Sequence, residues 1–224
     1  MELRPLAIPN RARISRRIVT AARVSLSTGG SLDQWLISDI CERLGLSTHA
    51  FRQLFPTADA LLDAVHEALV DECSSRLRAC IDQFVASATP AGVTEAASLL
   101  AKSWPLDRGG LIIRGERRVR AMAGGLDGPG AARSERKFLG ALVDIFTDLM
   151  TRIGRRFEWD PMLAVRVILD TYERSFEAWI LDGHSELTFA DSPYIARTLP
   201  TLLEQLSQSV ANDAPQSGSA AAVA

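Results

Sequence analysis

Lysine is almost missing from this chain of 224 residues: of 25 basic side chains, only Lys102 and Lys137 are lysines. Positive charge is therefore carried by arginine, whose planar fork matches phosphate and guanine in two-point contacts. Cysteine is scarce too. Cys41, Cys73 and Cys80 are odd in number and form no disulfide framework, which points to a reducing compartment. No apolar run approaches the ~18 residues of a membrane span, and the opening MELRPLAIPN lacks the apolar core of a secretory signal. The expectation is a cytoplasmic protein without membrane attachment. Strand signals are weak: Gly110-Leu111-Ile112-Ile113 is the nearest candidate and is too short. No internal repeat is visible.

What is present is helical periodicity. Asn10 reads as the cap of a first helix with Ile14, Ile18, Ala21, Ala22 and Ser25 on one face, ended by Gly29-Gly30. A second helix spans about Trp35 to Leu44, Gly45 stops it, and Ser47 caps a third of roughly seven residues ending near Phe55. Pro56-Thr57 opens a long fourth helix whose stripe runs from Leu61 and Leu62 to Phe84. Thr89-Pro90 begins a fifth, ending near Trp104-Pro105. LIIRGERRVRAMA reads as helix, GGLDGPG as a break, and about Ala131 to Phe157 as another helix. Asp160-Pro161 and Ser192-Pro193 start two more. Val165, Leu169, Tyr172, Phe176 and Trp179 share one rhythm, as do Ile195, Leu199, Leu202 and Leu206. That a/d spacing predicts helix-on-helix packing.

Charge is divided unevenly. Through residue 57 there are eight arginines against four acids, so the first quarter holds +4 and the rest −6 of the net −2. A basic head on an acidic body suits a polyanion-binding module joined to an unrelated domain. The tight turn at Gly45 between two short helices places the third helix where it can enter a major groove. Arg4, Arg11 and Arg13 form a basic arm beside it.

In this head the chain resembles the TetR family of transcriptional regulators. The resemblance rests on Ile18 with Ala21-Ala22, Gly30, Ile37, Asp39-Ile40-Cys41, Gly45-Leu46-Ser47, Phe51, Phe55-Pro56 and Leu61-Leu62. It implies an all-α fold: a three-helix helix–turn–helix DNA-binding head over 1–57, a helical effector-binding and dimerisation domain over 58–211, and here a disordered tail over 212–224. It implies DNA contacts from Trp35, Ser47, Thr48, His49, Ala50, Arg52 and Gln53. Arg52 stands where the family usually has a phosphate-contacting tyrosine, Trp35 and Leu36 where it has threonines, and Ala58 where it has a lysine. The protein this implies is a homodimeric repressor released from a pseudo-palindromic double-stranded DNA operator by a small apolar effector, its last two helices forming the dimer seam through Val165, Leu169, Tyr172, Phe176, Trp179, Ile195, Leu199, Leu202 and Leu206. Trp104, Phe146, Met150, Tyr172 and Phe176 are the candidate effector-lining residues. The alternative is a helical ligand-sequestering or protein-interaction protein with a degenerate head.

Other motifs carry less. Arg114, Arg117, Arg118 and Arg120 read as a solvated helix face. His66, Cys73 and Cys80 lie seven residues apart, about 10.5 Å per step along a helix, too far to share one metal ion. GGLDGPG follows no strand and is no dinucleotide loop. His184, near Asp182 and Glu186, has no nucleophile beside it in sequence. Neither metal, cofactor nor enzymatic activity is expected.

Overall fold

The computed structural model describes residues 8–28, 34–87, 91–104, 107–123 and 129–210. Nine α-helices among them are α1 (Ile8–Ser27), α2 (Gln34–Leu44), α3 (Thr48–Leu54), α4 (Ala58–Ala86), α5 (Val93–Ser103), α6 (Arg108–Met122), α7 (Pro129–Arg152), α8 (Pro161–Leu181) and α9 (Leu199–Gln205). Arg4, Gly29-Gly30, Thr89-Pro90 and the tail from 212 lie outside the described residues.

Capping explains several starts. Thr57 Oγ1 accepts from Ala60 N–H at 3.0 Å ahead of α4. The Asp160 carboxylate accepts from Met162 and Leu163 N–H at 2.7 and 3.1 Å, with Pro161 in the first turn of α8. Asn10 lies inside α1 and does not cap it. The start of α5 is set by Glu95, whose Oε2 accepts from Gly92 N–H at 2.9 Å.

Two apolar clusters form. One joins Ile18, Ala22 and Leu26 of α1, Leu36 and Ile40 of α2 and Phe51 of α3 to Leu61, Leu62, Val65 and Leu69 of α4 and Ile113 of α6. The other joins the second half of α4 (Val70, Leu77, Ile81) to α5, α7, α8 and α9. A division at residue 57 therefore passes through a shared core: α4 belongs to both clusters, and α6 plugs Ile113 into the first.

Two parts of the body depart from the sequence-based expectation. The helix expected to reach Phe157 ends at Arg152, because Gly154 takes φ +70°, a left-handed conformation that terminates helices. The chain then enters a short strand, β1 (Arg155–Phe157), which pairs antiparallel with β2 (Ser207–Ser209), Arg156 opposite Gln208. Arg155 fastens the pair by donating to Ser207 Oγ at 2.8 Å and to the Ser207 carbonyl at 2.6 Å. Residues 110–113, the candidate strand, are helical within α6.

The last helix is also not continuous. Tyr194–Thr198 is a π-turn, with Leu199 N–H donating to the Tyr194 carbonyl, before α9 begins. Pro200 explains this. It has no N–H for the Ala196 carbonyl, and its ring crowds that carbonyl, so the turn widens by one residue. The widening rotates α9 about its axis: Leu199 and Leu203 are fully buried and Leu202 only partly.

Candidate functional site

The helix–turn–helix is built from short-range rules. Gly45 takes φ +63°, and Leu46 N–H donates to the Cys41 carbonyl at 2.9 Å, closing α2. Ser47 then turns the chain, its Oγ accepting from Ala50 N–H at 3.1 Å to start α3. Phe51 and Phe55 anchor α3 from beneath, their ring centroids 5.8 Å apart. Burying Phe51 there contributes about 1.5–3 kcal/mol.

The opposite face of α3 is open. Thr48, His49, Arg52 and Gln53 are exposed, Ala50 is half-buried, and Ser47 is exposed at the cap. His49 Nε2 and Gln53 Nε2 lie 3.0 Å apart, which presents the two as one polar unit. Arg52 makes no ion pair among the described residues. Arg11 donates to the Gln53 carbonyl at 3.0 Å, tying the first turn of α1 to the end of α3. Arg13, Arg16 and Arg17 stand exposed on α1 without a carboxylate partner among the described residues. Trp35 is 83 % exposed at the start of α2. Arg23 and Arg43 are different: they pair with Glu72 and Asp39 and brace the head internally.

In the body the candidate effector-lining residues come together, but as packing. Trp104, Phe146, Met150, Tyr172 and Phe176 are each 6 % exposed or less. Trp104 lies on Tyr172 with centroids 5.2 Å apart and edge-on to Phe146 at 6.0 Å. None of the five lines the groove of about 670 Å³ that runs between α6 and α8.

The expected dimer seam is likewise mostly internal. Val165, Leu169, Tyr172, Phe176, Ile195, Leu199 and Leu206 lie in the core of a single chain, which leaves them no surface to offer a partner. Only Trp179 and Leu202 of that set keep partial exposure. Heptad-like spacing could not separate packing within a chain from packing between chains. The exposed apolar side chains of α8 are instead Met162, Leu163 and Leu181.

The second arginine run is not a solvated face. The Arg114 and Arg117 side chains are 12 % exposed. Arg114 Nη1 lies 2.9 Å from Oε1 of Glu173, itself buried in α8, and its guanidinium sits 5.3 Å from the centre of the Phe138 ring. That oxygen is held by charge, since no directed hydrogen bond reaches it. Burial pushes the Glu173 carboxyl above its ordinary range, against the opposing pull of Arg114 and Arg118. Arg117 donates to Asp63 at 3.1 Å and Arg120 to Asp59 at 2.8 Å, both on the opening turns of α4. Sequence reasoning assigns these residues no function because their burial depends on α8, sixty residues away. The one local signal is four arginines in seven positions.

Among the described residues no helix is long and apolar enough to cross a membrane, and no group of three His, Cys, Asp or Glu side chains could hold a metal ion.

Neither a family model nor a curated protein matches the chain. Solved structures do. A protein described as a TetR-family transcriptional regulator of Mesorhizobium loti superposes with a TM-score of 0.56 at 17 % identity, over 92 % of this chain and 97 % of its own. GusR of Salmonella enterica gives 0.54 at 22 % identity, over 90 % and 97 %. A transcriptional regulator from Rhodococcus sp. gives 0.52 at 20 %, over 89 % and 96 %. Head and body are both covered, so the chain has the fold of the TetR-family transcriptional regulators.

Proposed function

We propose that this chain is a ligand-responsive transcriptional regulator with no enzymatic activity of its own. Two copies bind a pseudo-palindromic operator in double-stranded DNA, and a small effector taken up by the body releases them, which makes the protein a repressor. Its place is the cytoplasm. The observation that carries this reading is the outer face of α3: Thr48, His49, Arg52 and Gln53 are exposed together, while Arg13, Arg16 and Arg17 stand exposed on α1 with no described carboxylate engaging them. Arginines left without carboxylates on one face of an otherwise acidic chain match a phosphate backbone. Side chains on a short capped helix match base edges in a major groove, with the two heads about one helical turn apart. Arg4 and Arg11 complete the basic arm. Trp35 offers an indole N–H to a phosphate where the related threonines offer hydroxyls.

Selection of random duplexes on the purified protein at two salt concentrations tests the reading. Enrichment of a palindrome is expected. About six phosphate contacts from two heads give a slope near −5 in log K against log salt. Arg52→Ala with His49→Ala removes one phosphate and one base contact from each head and is expected to weaken binding of the selected duplex about a hundredfold, while circular dichroism stays unchanged. Recovery of no motif, with weak binding that ignores sequence, would transfer the reading to a ligand-sequestering protein with a degenerate head.

A further inference from the structure

Two side chains on the outer face of α3 are joined before any partner arrives. His49 and Gln53 stand four positions apart on the helix, so they share one face. Both are exposed. Their Nε2 atoms lie 3.0 Å apart, within hydrogen-bond distance. A glutamine amide nitrogen can only donate. The imidazole Nε2 is therefore the acceptor, and the ring carries its proton on Nδ1. Among the described residues neither side chain has another hydrogen-bond partner.

The rest of the helix holds this pair in place. Ser47 caps its start and Phe51, 1 % exposed, roots it in the head core. At its end Arg11 of α1 donates to the Gln53 carbonyl at 3.0 Å, which fixes the backbone from which the glutamine projects.

The bond matters for what it takes from Gln53. A free glutamine amide has one oxygen and two N–H groups and can turn over. It meets adenine with the oxygen and one N–H, or guanine with N–H alone. With one N–H given to His49, turning over would bring Oε1 against Nε2, acceptor against acceptor. A DNA acceptor on the His49 Nδ1–H keeps the ring in that tautomer, so the two contacts support each other. What Gln53 then presents is one acceptor beside one donor. Adenine shows the complement in the major groove, its N6 amino donor beside the N7 acceptor. Guanine shows two acceptors and would set O6 against Oε1.

We propose that His49 and Gln53 form one reading unit. Gln53 takes an adenine in each half-site through Oε1 and its remaining N–H. His49 enforces the choice by holding the amide in one orientation, and is a positioning residue in addition to its own contact. The unit rests on the DNA-binding function proposed above and names the base that one of its contacts selects.

Preferences compared within each variant test the unit, because general losses of affinity cancel. Random-duplex selection is repeated with Gln53→Ala, and the half-site position that loses its preference is the one Gln53 reads. Adenine is expected there. Anisotropy then compares two duplexes, with A·T or G·C at that position. The native protein is expected to favour A·T at least about tenfold. His49→Ala is expected to bring the ratio down to about twofold or less by admitting guanine. In Gln53→Ala, adding His49→Ala is expected to change the ratio no further. His49→Glu supplies the rescue. A carboxylate only accepts, so it holds the amide the same way. It is expected to keep the preference for A·T while weakening binding of both duplexes, since its charge faces phosphates. The substituted side chains are exposed, and circular dichroism checks that helicity is native. A base other than adenine at the Gln53 position, adenine preference retained in His49→Ala, or preference lost in His49→Glu overturns the unit and leaves the regulator standing. A native protein that selects no duplex sinks the regulator, and the unit with it.

Discussion

His66 is 2 % exposed in the middle of α4, with Nδ1 lacking a hydrogen-bond partner among the described residues. Burial, reinforced by the charges of Arg117 and Arg114, pushes its pKa down from 6.5 to about 3. The unfolded chain binds a proton near pH 6.5 that the folded chain refuses. The stability this neutral histidine supports is whole above pH 6.5 and is lost as pH falls from there toward 3, at up to about 1.4 kcal/mol per pH unit. Between pH 6.5 and 5, denaturant melts are expected to lose about 1.5 kcal/mol more in the native chain than in His66→Leu. Equal losses would mean that His66 is protonated in the folded state. Residue roles were legible in the sequence where the rule is local. Gly45, with its positive φ, and Ser47, with its capping hydroxyl, do what their neighbours demanded. His66, Arg114 and Arg117 were not legible, because what buries them arrives from α6, α7 and α8.

At the scale of elements, α6 is the part whose role the sequence concealed. Its apolar content is low and its arginines suggest solvent, yet it is gripped from both sides. Gly109 marks the tightest point. Gly109→Ala puts a methyl group 2.3 Å from Ser27 Cβ, and backbone must give. The expected cost is about 1–3 kcal/mol of overpacking, read as a lower thermal midpoint, together with changed operator affinity as α1 moves. A variant with native midpoint and native operator binding would show that α1 and α6 are loosely joined. The long α4 and the capped α8 were readable from periodicity and from Thr57 and Asp160. The break at Gly154 and the widened turn before Pro200 were not, because the apolar rhythm on either side carries through both and hides the interruption.

For the whole molecule, the all-helical class was legible in the 3.6-residue apolar rhythm. The seam of the proposed dimer was not, because a helix with apolar residues at a/d positions looks the same inside one chain as between two. In the proposed dimer, the α8 surface left to meet a partner includes Met162 and Leu163, 42 and 48 % exposed. Met162→Asp with Leu163→Asp is expected to give folded monomers in sedimentation and to weaken operator binding, since two linked heads bind far better than one. A persisting dimer would place the seam elsewhere. The four tryptophans of this chain fall in four different surroundings. Trp35 stands in solvent on the head, Trp104 lies in the aromatic core, Trp159 is 55 % exposed and Trp179 stacks on His184 with centroids 3.9 Å apart. The protein thus carries its own optical reporters. Iodide is expected to quench Trp35 and Trp159 and to spare the buried Trp104. An operator duplex seated on the head is expected to shield Trp35 from iodide, and in Trp35→Phe that protection disappears. Engagement of DNA can then be followed on the unlabelled protein, by light emitted from the exposed indole at the start of α2.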